Sequence, residues 1–74
     1  MEQIIKKLLC SINEDIANYK GDSLYEDGYI DSFQVIQLVA KLEEEFDIEI
    51  DPEKVIIDNF DSVAKIVSLV EECR

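Results

Sequence analysis

The sequence predicts a small all-α protein: a four-helix bundle of three longer helices and one short helix, with a long loop between the first two. Three observations carry that expectation. Two glycines and one proline are all that interrupt 74 residues. Apolar residues recur at intervals of three and four rather than two, the spacing of a helix face. Turn formers gather in one stretch, 18-NYKGDSLYEDGYI-30. A chain this short is expected to be one domain, residues 1–74, with a thin core burying about 60% of what the unfolded form exposes.

Taken in order, residues 3–17 place Ile5, Leu8, Leu9, Ile12 and Ile16 on one stripe of an amphipathic first helix. In the loop over 18–30, Leu24 and Ile30 are expected to anchor the chain to the core, and Gly28 to ease the turn into the next element. Loops of this length without structure of their own are uncommon and often functional. Asp31 is a good N-cap, since its carboxylate can accept from first-turn N–H groups that lack partners. The second helix should therefore start there and run to about Phe46. The segment 46-FDIEI-50 alternates like a strand but has nothing to pair with, so it reads as an extended connection with Ile48 and Ile50 plugging the core. Next, 51-DPE-53 offers an aspartate cap followed by proline at the first helical position, opening a short helix to about Ile57. Asp61 is expected to cap the last helix, whose buried stripe is Val63, Ile66, Val67 and Val70.

Charge narrows the function. Seven Lys and Arg stand against 18 Asp and Glu, and nine of those acids lie between Glu43 and Asp61. Phosphate backbones are bound by clustered cations, so nucleic acid is excluded as a natural partner, and anionic membrane surfaces are disfavoured likewise. A basic protein surface is the natural complement; plain solubility is the other reading of so much acid. No window reaches the roughly 18 apolar residues of a membrane span, and the N-terminus lacks the pattern of a signal peptide, so a cytoplasmic location is expected. Cys10 and Cys73 have no metal spacing and no histidine to support them, and read as small core residues rather than a disulfide. Asp47, Glu49 and Asp51 alternate but lack the glycine and spacing of a calcium loop.

The second helix carries more apolar residues than one buried face needs. At about 100° per residue, Val35, Leu38, Val39, Leu42 and Phe46 form the core stripe. Phe33, Ile36 and Ala40 fall roughly 120° or more away in a second stripe, with Gln37, Glu43 and Glu44 around it. Two readings are open: a central helix buried on both sides, or an exposed patch that docks a partner. Ser32 lies beside that patch. It cannot be a self-sufficient nucleophile, because the chain has no histidine and Lys41 lies more than two turns away on another side of the helix. As a first-turn residue it is either ordinary helix or a modification site, where free N–H groups and the helix dipole favour an attached phosphate.

The segment DGYIDSFQVIQLVAKLEEEFDIEI, from Asp27 to Ile50, resembles the central signature of acyl carrier proteins and related carrier domains. The likeness extends over the whole chain in length, helix order and long first loop. It implies a serine carrying 4′-phosphopantetheine through a phosphodiester, the arm's thiol holding an acyl or aminoacyl group as a thioester. By that resemblance Ser32 is the attachment serine and Asp31 the acid before it. Phe33, Ile36, Gln37 and Ala40 belong to the docking face, with Glu43 and Glu44 pairing with basic residues on partner enzymes. The protein would be a monomeric, non-catalytic carrier. It would be modified by a phosphopantetheinyl transferase and served by acyl- or aminoacyl-loading enzymes and downstream transferases with basic docking surfaces. Its pathway would be fatty-acid, polyketide, nonribosomal or related biosynthesis. Two features differ from fatty-acid carriers: Gln34 stands where a second acid is common, and 52-PEKVIIDNF-60 is mostly apolar. These, with DSF and 59-NFDS-62, also resemble specialised carriers, D-alanyl carriers among them. An unmodified acidic adaptor is the reading from another class.

Overall fold

In the computed structural model, which describes residues 1–21 and 23–74, three α-helices enclose a core of aliphatic side chains and one phenylalanine. We label them α1 (Glu2–Ile12), α2 (Ser32–Phe46) and α3 (Val63–Cys73). Three short 3₁₀ turns join them, at Glu14–Asn18, Pro52–Lys54 and Ile57–Asn59, and no strand occurs among the described residues. The all-α bundle is as expected. Asp22, within the predicted loop, lies outside the described residues.

Ile5 and Leu9 of α1, Val35, Leu38 and Leu42 of α2, and Ile66, Leu69 and Val70 of α3 are buried together with Phe60. Leu24, Ile30 and Ile50 join them from the connections, so the loop anchors and one of the two plugs are as predicted. Ile48, Val63, Val67, Val39 and Phe46 pack against the margin of this core without full burial. Hydrophobic burial is the main force here, at about 25 cal/mol per Å² of apolar surface. The thin core explains why so many of its members come from loops.

Four local details differ from expectation. The first helix does not continue to residue 17: Asn13 is extended, at φ −146° and ψ 106°, and its side chain caps the 3₁₀ turn by accepting from the Asp15 N–H. Ile16 still reaches the core, because the turn carries it back over α1. The short helix predicted after Asp51 is instead two 3₁₀ turns separated by Val55 and Ile56, although Asp51 does cap the first, accepting from the Glu53 N–H at 3.0 Å. Ser62, not Asp61, caps α3, its hydroxyl accepting from the Lys65 N–H. Finally, Cys10 and Cys73 are free thiols as expected but only half-buried, with Cys73 packed against the margin of the core. Cys10 lines a cavity with Ser62 and Val63 at the start of α3, whereas Cys73 ends that helix, about 15 Å further along its axis. A disulfide needs Cα atoms within about 7 Å.

Candidate functional site

The site is built around the start of α2, and both helical neighbours fix the chain leading into it. Asp61, just before α3, accepts the Ser23 hydroxyl at 2.6 Å and the Tyr25 N–H at 3.1 Å, while its carbonyl accepts the Leu24 N–H at 2.9 Å. The Ser23 hydroxyl, the Tyr25 N–H and the nearby Lys65 hold this carboxyl below the usual aspartate range, against a partial desolvation that pushes it the other way. The Leu24 carbonyl in turn accepts from the Tyr29 and Ile30 N–H groups. From the other side, the Asn13 amide donates to the Tyr29 carbonyl at 3.0 Å. Tyr19 closes the outer edge: its hydroxyl donates to Asp27 at 2.6 Å and accepts the Ser23 N–H at 2.7 Å, and its ring packs on Tyr29. Gly28 makes the turn before α2 at φ +82°, a left-handed conformation that L side chains rarely adopt.

Asp31 then caps α2 as predicted, through a reciprocal pair. Its carboxylate accepts the Gln34 N–H at 2.8 Å, and the Gln34 side-chain oxygen accepts the Asp31 N–H at 3.1 Å. Gln34, read from sequence only as a departure from fatty-acid carriers, is thus half of a capping box, which satisfies two otherwise orphaned donors. Ser32 follows, exposed, in the turn where N–H groups have no helical acceptor. No acidic residue occupies that first turn.

The two apolar stripes of α2 separate as the docking reading requires. Val35, Leu38 and Leu42 are buried, whereas Phe33 is 68% and Ile36 63% exposed, and Ala40 is exposed beside them. This excludes a helix buried on both sides. Gln37 and Glu44 are exposed. Glu43 is half-buried, and one of its oxygens is committed internally, accepting the Ile50 N–H at 2.9 Å. Sequence reasoning missed Ile56, which is 51% exposed. With Val55 and Ile57 it forms the far wall of an open groove of about 370 Å³, whose near wall is Ser32, Val35 and Ile36. The signal was the apolar run 55-VII-57 in a segment that no buried stripe could absorb. A more enclosed cavity of about 230 Å³, between α1, the Glu14–Asn18 turn and the start of α3, does not include Ser32 among its lining residues. Among the described residues no group of three or more His, Cys, Asp or Glu side chains is placed to hold a metal, and no helix is long and apolar enough to cross a membrane.

The start of α2 thus presents an exposed hydroxyl on a capped helix, beside an exposed apolar patch. Fold and site together define the class: a small helical carrier domain. Comparison with known families agrees, since the model for the phosphopantetheine attachment site matches residues 2–70. The D-alanyl carrier protein of Leuconostoc mesenteroides subsp. mesenteroides is 33% identical over 70 residues, covering 95% of this chain and 90% of that protein. Its counterpart in Leuconostoc citreum is 29% identical over the same shares, and that of Streptococcus sanguinis 31% identical over 97% of this chain and 87% of its own. No solved structure gives a significant match. The chain belongs to the phosphopantetheine attachment-site family: it is a phosphopantetheine carrier protein, and its cofactor is covalently attached 4′-phosphopantetheine. The residues present fit that group. An exposed serine hydroxyl, first-turn N–H groups open to an anion and an open apolar groove alongside leave room for a phosphodiester and the chain beyond it.

Proposed function

We propose that Ser32 is the attachment residue and that the protein is a single-domain aminoacyl carrier whose cargo is D-alanine. The attachment assignment rests on one observation above others: Ser32 is an exposed hydroxyl in the first turn of a helix whose cap is complete without it. When bound, the cofactor supplies a mobile thiol that holds the cargo as a thioester. What this chain supplies is position. Asp31 and Gln34 fix the start of α2, Phe33, Ile36, Gln37 and Ala40 offer the docking face, and Glu44 with the outward part of Glu43 supplies charge for basic partners. A net charge of −11 steers those partners in and keeps the contacts salt-sensitive. The partners are a phosphopantetheinyl transferase, an adenylating enzyme that loads the thiol, and a downstream transferase.

D-alanine is favoured over a long acyl chain by the names of the relatives and by the open groove, since a small polar cargo needs no apolar tunnel. Coexpression with a broad-specificity phosphopantetheinyl transferase, followed by intact-mass measurement, tests the attachment: the wild type gains the arm and Ser32→Ala does not. A gain that survives the substitution, or no gain in the wild type, refutes it and leaves the unmodified adaptor. Offering the modified protein to adenylating enzymes for D-alanine, other amino acids and fatty acids tests the cargo, and preferential loading with a fatty acid would refute the D-alanyl reading.

A further inference from the structure

The capping box of α2 poses a question that capping alone does not answer. A glutamate at position 34 would close the same box and would suit the positive end of the helix dipole better than a neutral amide. The side-chain oxygen of Gln34 is fixed by the Asp31 N–H at 3.1 Å, which can only donate to oxygen. The NH₂ end of the same amide is therefore the one left over, and it has no partner among the described residues. Residues two apart on a helix ordinarily face different ways, but the box holds the Gln34 side-chain oxygen against the backbone N–H of Asp31, the residue next to Ser32. From Ser32 to Val35 no other side chain bears an N–H, and no cation is present.

We infer that Gln34 is a positioning residue for the phosphodiester, its amide N–H donating to a phosphate oxygen while its carbonyl oxygen holds the cap. This rests on the assignment of Ser32 as the attachment residue. A glutamate can accept from the Asp31 N–H but would add a negative charge beside the phosphate. A lysine or arginine can donate to the phosphate but cannot accept from the Asp31 N–H. Glutamine does both, and it does so in a chain whose net charge is already −11. The amide thus holds the root of the arm at the entrance of α2, where the Asp31 carboxylate is already engaged by the Gln34 N–H.

The test compares the unmodified and modified forms of the wild type and of Gln34→Glu, which keeps the box and so the fold. The side-chain ¹⁵N–¹H₂ signals of Gln34 should move when the arm is attached, with those of Gln3 and Gln37 as internal controls that stay in place. In thermal melts at low salt, the difference between modified and unmodified forms should be less favourable in Gln34→Glu than in the wild type by roughly 3–6 °C for a domain of this size. That gap should largely close at about 1 M salt, where the screening length falls to about 3 Å. A purely structural role moves both forms equally, so equal shifts, or an unmoved Gln34 amide, overturn the inference while leaving the attachment intact. Intact mass distinguishes the other failure: no gain on the wild type removes the attachment and this inference with it.

Discussion

Asp61 offers the sharpest perturbation of the loop that leads to the site. Its carboxylate receives the Ser23 hydroxyl at 2.6 Å and the Tyr25 N–H at 3.1 Å, across 38 and 36 residues of sequence. Hydrogen bonds to an ionised acceptor contribute about 1.5–3 kcal/mol each when well buried. Asp61 is only half-buried, so water replaces part of what is lost, and removing both bonds should cost about 2 kcal/mol in total. At about 4–8 °C per kcal/mol for a domain of this size, Asp61→Ala should melt roughly 8–16 °C lower. Asp61→Asn keeps the acceptor but loses the charge, so it should fall about halfway. The pH dependence has a definite sign. The folded carboxyl is held below the ordinary value near 3.8, chiefly by the Ser23 hydroxyl. As pH falls, the unfolded chain therefore binds its proton first. The stabilisation is complete above the ordinary value and is lost as pH falls through the lower folded value. Urea unfolding of the wild type and Asp61→Asn should show a constant gap from about pH 7 to 5 that narrows as pH falls below the ordinary aspartate value. Other carboxylates titrate in both proteins and cancel in the difference. A gap that does not narrow in acid, or an Asp61→Ala protein that melts with the wild type, would refute the reasoning.

Four further outcomes are expected. Gly28→Ala should destabilise by about 1–2 kcal/mol, since position 28 sits at φ +82° and the open space around it offers no compensating contact; unchanged denaturant midpoints would contradict this. Leu38→Ala, at a fully buried position, should cost about 2–5 kcal/mol. Phe33→Ala, on the exposed stripe, should leave the melting temperature within about 2 °C while raising the KM of the phosphopantetheinyl transferase; comparable destabilisation of the two variants would place Phe33 in the core instead. Added salt should raise the melting temperature at pH 7 by screening the repulsion behind a net charge of −11, and a flat or falling salt series would speak against that.

How much of this was legible depended on the range of the interaction. The start and end of α2, its two stripes and the anchoring of Leu24 and Ile30 follow from local spacing, and local spacing was enough. The break at Asn13 was hidden because Ile16 keeps the helical interval from Ile12 while reaching the core through a 3₁₀ turn. Asp61 and Ser62 are both strong caps by residue type; the choice between them falls to Ser62 because Asp61 is engaged by Ser23 and Tyr25, far away in sequence. Glu43 could be placed on the acidic face, but its bond to the Ile50 N–H depends on how the chain leaves α2 through the left-handed Asp47, at φ 53°. Gln34 is legible as a departure from fatty-acid carriers, in keeping with the D-alanyl carrier relatives. Its second role, as the third residue after a capping aspartate, needs the Asp31 cap to be read together with it.

The two sides of the groove beside Ser32 are unequal in stiffness. Helix α2 is clamped at both ends by its own side chains and buries three residues in the core, whereas no residue from Asp51 through Asn59 is buried. Segments with so few buried apolar contacts open at low cost in free energy. The mouth of this groove therefore has a jamb and a leaf: α2 is the stiff side, and the Val55–Ile57 side is the one that opens at the lower cost.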